Sequence, residues 1–308
     1  MQSPFRAILF KVGSVFLFVC MSAMIKSVSD EVPPGQAVFF RSLLAIPVIL
    51  VWLAMRHELR TGLRTAVPMG HVWRGLVGTM AMGLGFAGLA YLPLAEAQSI
   101  QYLAPLLVVI FAAMFLGEQV RAFRLTAVAL GMTGVLIVLS PRLTAIQDGT
   151  LGEGEALGAV LVLMSAVFAA LAQVFVRKLV TTEQTSAIVF WFSVTASVLA
   201  LATLPFGWVM PDLRVLSILI LAGLLGGLGQ ILLTTSYRLA DVSVVAPFEY
   251  SSMLLSVMFG YWIFSEVPTL TMLAGVALII SAGVLIIWRE RKLGLERNKG
   301  RKVMTPQG

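Results

Sequence analysis

The sequence predicts an all-α integral membrane fold, ten transmembrane helices arranged as two inverted five-helix repeats, and three observations carry that expectation. Apolar residues make up 59% of the 308 positions and charged residues only 12%. With a mean hydropathy of +0.95, this leaves too little polar surface for a water-soluble fold. The apolar residues gather into ten stretches near the length of roughly 20 residues that a helix needs to cross a hydrocarbon core. Finally, AVALGMTGVLIVL from Ala127 to Leu139 returns as GVALIISAGVLII from Gly275 to Ile287, each downstream of an apolar helix that ends in Glu, at Glu118 and Glu266. An odd number of crossings per copy forces the two copies to lie upside down relative to each other.

The spans follow in order. The first runs from Phe5 to Val28; Lys11 interrupts its long apolar stretch and no small-x-small cleavage site follows before Asp30, so it reads as a span and not a signal peptide. The second, Gln36 to Met55, carries an aromatic pair, Arg41 and Pro47, and the third, Val72 to Leu92, is rich in glycine. The fourth, Ala95 to Leu116, opens on Glu96, where a helix N-terminus favours an acid, and contains Pro105. The fifth runs from Phe123 to Leu139. The polar stretch PRLTAIQDGTLGEGE then marks the midpoint, and five further spans follow: Ala156 to Val176, Ser186 to Leu204, Val215 to Thr235, Val242 to Phe264 and Thr269 to Trp288. The domain reading is a first repeat over 5–140, a periplasmic linker over 141–155, a second repeat over 156–288 and a basic cytoplasmic tail over 289–308.

Orientation follows from the placement of Lys and Arg, which cytoplasmic loops retain. With the N-terminus inside, only Arg142 and Arg214 of the 22 basic residues fall outside, while Lys26 and Arg41 lie within or at the edge of the membrane. The chain is therefore expected to be a multi-pass protein of the cell inner membrane with both termini cytoplasmic. The net charge of +7 becomes a topology signal, and the basic tail is matched to anionic lipid headgroups and not to nucleic acid.

Setting Glu118 on Glu266 lays Gln101-Tyr102 over Glu249-Tyr250 and Pro105 over Met253. Setting Tyr91 on Tyr237 lays Gly83 over Gly229, and a third register sets Phe39-Phe40 over Phe190-Trp191 and Lys26 over Arg177. On these residues, FFRSLLAIPVILV, YLPLAEAQSIQYLAPLLVVIFAAMFLGEQV and the weaker copy ending in FSEVP resemble the paired domains of the EamA-type drug/metabolite transporters, over roughly Ala7 to Trp288. The marks are Arg41 after the aromatic pair, Pro105 thirteen residues before Glu118, and the closing Gly-rich span. Met253 and Phe192 depart from the pattern, standing where Pro and a basic residue are expected, which makes any transferred site asymmetric. The resemblance implies a secondary carrier of a small organic metabolite such as an amino-acid derivative, riboflavin or S-adenosylmethionine, ion- or proton-coupled or exchanging. It also implies that Arg41 holds a partner carboxylate or an anionic group of the substrate.

An ionisable side chain at membrane depth is costly unless it is paired or faces water. Glu249, well inside the ninth span beside Pro247, is thus a candidate proton acceptor, or else the structural partner of Lys26, Arg41 or Arg177. Gln98, Gln101 and Tyr102 share a face of the fourth span and, with Tyr250, offer the amides and hydroxyls that a polar solute needs, or bonds between neighbouring helices. Trp191, with Phe190, could stack on a planar substrate. Glu118 and Glu266 read as helix-end anchors, Glu118 with Arg121 beside it. Gly223 and Gly227 form a GxxxG pair for close helix contact, and Pro47, Pro105 and Pro247 can bend their spans.

The expected partners are a small-molecule solute and membrane lipids, with a homodimer left open. No cofactor or metal is expected: Cys20 is the one cysteine, and the two histidines, His57 and His71, lie in or beside a cytoplasmic loop. No GxxxxGK[ST] loop is present for direct ATP drive. The alternatives to a carrier are a membrane-embedded enzyme, which would need paired acids or His-rich sites, and a non-transporting membrane subunit.

Overall fold

A computed structural model describes residues 4–116, 122–147, 153–179, 182–239 and 246–303. Its elements are α1 (Pro4–Lys26), α2 (Pro34–Met55), the single turn α3 (Leu59–Gly62), α4 (Pro68–Leu89), α5 (Leu94–Gln101), α6 (Leu103–Leu116), α7 (Ala122–Gln147), α8 (Glu153–Leu179), α9 (Thr185–Leu201), α10 (Leu213–Leu239), a 3₁₀ turn over Ala246–Tyr250, α11 (Ser251–Phe264) and α12 (Leu270–Val303). No strand occurs among the described residues. Pro34 and Pro68 open their helices, where a fixed φ is already helical and the missing N–H would have no partner.

Five of these helices, α1, α2, α4, α8 and α10, are long and apolar enough to cross a membrane, and α7, α9 and α12 hold shorter apolar stretches. The two remaining spans, the fourth and the ninth, are interrupted. Pro105 explains the first break: it has no N–H to give the Gln101 carbonyl and its ring crowds that oxygen, so the α-helix stops at Gln101 and restarts at Leu103. The ninth span lacks such a proline at Met253, yet it too changes geometry at the matching place, passing from the 3₁₀ turn to α11 at Tyr250. Two spans read as continuous helices are thus broken ones, at positions that the repeat alignment had already superposed.

The packing shows the inverted duplication directly. α1 lies on α10 as α4 lies on α8, and α10 lies on α2 as α4 lies on α9. α2 packs on α9, α5 on α11 and α7 on α12, so each of these helices meets its own counterpart. Glycine makes several of these contacts possible. A Cβ on Gly223 would sit 2.8 Å from the Phe40 carbonyl, and one on Gly134 would sit 2.8 Å from the Gly275 carbonyl while Gly275 meets the Gly134 carbonyl at 2.7 Å. With lipid offering helices no reason to associate except close packing, these backbone contacts hold α10 to α2 and α7 to α12.

Helical structure runs past two of the apolar spans: α7 continues through Pro141 to Gln147 and α8 begins at Glu153. The basic tail continues α12 as far as Val303. Glu118 and Arg121 fall outside the described residues, as do the side chains of Arg177 and Pro247.

Candidate functional site

A cavity of about 650 Å³ lies among α4, α5, α8, α9 and α10. Its polar wall is built from Arg74, four glutamines (Gln98, Gln101, Gln173 and Gln230), Ser22, Ser165 and Thr234, and no Asp or Glu among the described residues lines it. The four amides come from three helices: α5 gives Gln98 and Gln101, α8 gives Gln173 and α10 gives Gln230. Gly85 clears the approach, since a Cβ there would stand 3.0 Å from Ser165 Oγ and 3.4 Å from Gln101 Nε2.

The wall is ordered by hydrogen bonds. Gln101 Nε2 donates to Ser165 Oγ at 2.6 Å, and Ser165 donates in turn to the Ala81 carbonyl at 2.6 Å, which ties α5 to α8 and α4. Gln98 Nε2 reaches Ser252 Oγ on α11 at 3.3 Å. Both glutamines therefore line the cavity while anchored to the opposite repeat, which couples the wall to the packing of the two halves.

The other expected site residues stand outside the cavity lining. Tyr102 is buried; its hydroxyl meets Ser252 Oγ at 2.5 Å and its ring lies 5.2 Å from that of Tyr250. Glu249 pairs with Lys11 of α1, a buried lysine, while about half of the Glu249 side chain is exposed. Lys26, one of the partners expected for it, instead meets Glu266 at 3.2 Å and donates to the Leu89 and Leu92 carbonyls at 3.0 and 2.5 Å. Glu266 also accepts from the Leu94 N–H at 2.8 Å. α1 thus carries two lysines, one toward each end, and each holds an acid from the ninth-span region. Trp191 donates its indole N–H to the Leu63 carbonyl at 3.0 Å, tying α9 to the 59–63 segment.

Arg41 is buried between α2, α9 and α10, 5.7 Å from the centre of the Phe192 ring and close to Gly226. On the same ring sits Arg74, at 3.7 Å. By sequence, Arg74 counts among the inner-side basic residues at the start of the third span; α4 begins at Pro68, which places Arg74 nearly two turns into the helix. Gln173 and Gln230 were also missed, although an amide inside an otherwise apolar span is the signal that would have found them.

At the end of the molecule where residues 56–67 join α2 to α4, Glu183 makes a clamp. Its carboxylate accepts from the Ala66 and Val67 N–H groups at 2.7 and 2.9 Å and from the Thr65 hydroxyl at 3.0 Å, and His71 Nε2 lies 3.7 Å away. Burial pushes the Glu183 carboxyl up, but the three hydrogen bonds and His71 outweigh it and hold the group below the usual carboxylate range.

Residues 5–140 and 156–288 each match the EamA-like transporter family. The chain belongs to that family. Among EamA relatives, it is 32% identical over 280 residues to the pseudopaline exporter of Pseudomonas aeruginosa, covering 91% of this chain and 95% of the relative. It is 30% identical to the riboflavin transporter of Rhizobium johnstonii, covering 75% and 74% of the two chains, and 26% identical to the S-adenosylmethionine uptake transporter of Rickettsia bellii, covering 82% of each. A solved crystal structure shares the EamA fold seen here at a TM-score of 0.66 and 22% identity, over 92% of this chain and 97% of the other. The protein is a multi-pass EamA membrane protein, and its named relatives are transporters of small molecules, not enzymes.

Proposed function

We propose that this chain is a secondary transporter of a small polar organic metabolite, working by alternating access as its two inverted halves rock around the amide-lined cavity. The observation that carries this reading is the cavity itself. Its volume of about 650 Å³ falls in the range of roughly 300–1,000 Å³ typical of small-molecule sites, and it is walled by helices of both repeats. Two interrupted helices meet beside it, an arrangement that many carriers place at the binding site. The relatives named for pseudopaline, riboflavin and S-adenosylmethionine support a solute of that size and polarity. A gradient, by ion or proton coupling or by exchange, supplies the energy. The membrane is the cytoplasmic one and both termini face the cytoplasm.

Counterflow in proteoliposomes tests the reading. Vesicles loaded with unlabelled riboflavin or S-adenosylmethionine should transiently accumulate the labelled form, and the cavity variant Gln101→Ala should lose that overshoot. Absence of counterflow across a broad metabolite panel would remove the carrier assignment. Labelling of single cysteines at the two termini tests the orientation, since reaction from opposite faces contradicts an even number of spans.

A further inference from the structure

Among the described residues neither Arg41 nor Arg74 has an acidic partner, although both are set inside helical spans. Arg41 Nε and Arg74 Nε and Nη1 are closed off from solvent and make no hydrogen bond. A guanidinium does not escape this cost by losing its proton, and an unpaired buried charge is among the most expensive groups a protein can hold. Two such charges beside one phenyl ring also repel each other. The fold nonetheless builds space for them, because a Cβ on Gly78 would overlap Arg74 Nη1.

What these cations share is the cavity. Arg74 forms part of its wall and Phe192, which carries both guanidiniums, forms another part. An arginine beside an aromatic ring keeps its N–H groups for an anionic acceptor, and Arg74 Nε and Nη1 have no acceptor within the described residues. Among the described residues no acid in the cavity wall competes for Arg74. Glu183, which faces His71 one turn earlier on α4, is committed to the 65–67 backbone and makes no ion pair with Arg74.

We propose that Arg74, backed by Arg41, is a carboxylate-binding subsite of the central cavity, and that the solute is a small organic anion. Its carboxylate docks at Arg74 while its amide, hydroxyl or ring groups meet Gln98, Gln101 and Gln173. The proposal deepens the transport reading and rests on it for the word solute, while anion binding at Arg74 can be measured without transport.

The test is thermal unfolding of the full chain in lipid nanodiscs with citrate and glutarate, against glutaramide as a neutral match and sulfate at equal ionic strength. Citrate or glutarate should raise the melting temperature, and glutaramide and sulfate should not. Arg74→Gln should melt higher than wild type without ligand, since it removes an orphaned charge, and should bind carboxylate about ten- to a hundredfold more weakly. Arg74→Lys should keep part of the response. No carboxylate shift in the wild type, an equal shift with glutaramide or sulfate, or an unchanged response in Arg74→Gln would each overturn the subsite. Counterflow separates the two readings. Exchange of riboflavin or S-adenosylmethionine with no carboxylate response keeps the carrier and overturns the subsite. An Arg74-dependent carboxylate shift with no counterflow of any solute, labelled glutarate included, supports the anion site and overturns the carrier.

Discussion

The rings of Tyr102 and Tyr250 meet with centroids 5.2 Å apart and planes inclined by 56°, and these are the residues at which the fourth and ninth spans lose α-helical geometry. Equivalent residues of two inverted copies come together only beside the axis that relates the copies, so this contact marks the pivot around which the halves are paired. Ser252 serves both sides of it, meeting the Tyr102 hydroxyl and Gln98 and donating to the Glu249 carbonyl at 2.7 Å. A cavity-wall amide and the inter-repeat pivot therefore share one hydroxyl, which is a physical route for coupling solute occupancy to rocking.

The pivot is backed by α12, where a Cβ on Gly283 would overlap the Tyr250 hydroxyl. Gly283→Ala should therefore push the Tyr250 ring off Tyr102 and destabilise the protein by about 1–3 kcal/mol through overpacking. Tyr250→Phe removes the nearest overlapping atom but leaves the ring carbon Cζ in overlap with the added Cβ, so the double variant should melt above Gly283→Ala alone yet below Tyr250→Phe. Thermal denaturation of the four proteins gives the coupling, and strict additivity would show that the two positions do not touch in the folded state.

Glu249 and Lys11 join the ninth span to α1, with the lysine as the buried partner. Glu249→Gln removes the acid that pairs with Lys11 and should cost about 1–2 kcal/mol, less than for a fully buried pair because half of Glu249 is exposed, and Lys11→Met combined with it should restore part of the loss. Glu249 is also the candidate proton acceptor of the sequence: if it carries the proton, Glu249→Gln abolishes gradient-driven accumulation of solute in vesicles and spares exchange. Accumulation at the wild-type level in a folded Glu249→Gln protein excludes that role and leaves the pair structural.

The Glu183 clamp has a definite pH signature. Its folded carboxyl titrates below the ordinary value of about 4.3, so the clamp stabilises the protein fully above that value and the contribution fades as pH falls through the lower, folded one. Melting temperature against pH should drop more steeply in acid for the wild type than for Glu183→Ala. At neutral pH Glu183→Ala should lose about 3 kcal/mol, because two backbone donors and a hydroxyl lose a charged acceptor. Parallel acid profiles for the two proteins would show that some other carboxylate governs the transition.

Much of this architecture is legible in the chain because lipid imposes a simple rule: apolar length becomes a span and misplaced polarity becomes a site. Gln98 and Gln101 were singled out in this way and lie in the cavity wall, and the alignment of Gln101-Tyr102 with Glu249-Tyr250 superposed the two places at which the spans break. Hydropathy does not register a break inside an apolar stretch, so the fourth and ninth spans read as continuous despite Pro105. Arg74 was lost for a related reason: a charge near a span's end looks the same by hydropathy whether it lies in a loop or two turns inside the helix. The choice of Lys11 for Glu249 and Lys26 for Glu266 depends on how α1 lies against the 249–266 segment, a contact between residues more than two hundred positions apart that no local pattern encodes.

The Lys26 and Glu266 pair closes the end of the molecule opposite the Glu183 clamp. Lys26 holds the Leu89 and Leu92 carbonyls, Glu266 holds the Leu94 N–H, and Leu89 and Leu94 themselves belong to the cavity wall. Opening the cavity at this end requires those bonds to part together, so the pair should act as a latch whose loss favours the open arrangement. Cys20 is the chain's one cysteine, and Cys20→Ser with Gln98→Cys gives a single reporter in the wall. Adding Lys26→Met should raise its labelling rate by an impermeant thiol reagent applied from this side by about tenfold, the factor expected if about 1.4 kcal/mol is removed from the closed state. Glu266→Gln should act in the same direction and more weakly, because its single amide oxygen can still accept from one of the two donors, Lys26 or the Leu94 N–H. A labelling rate that Lys26→Met leaves unchanged would show that this end opens by a motion in which the ion pair stays intact.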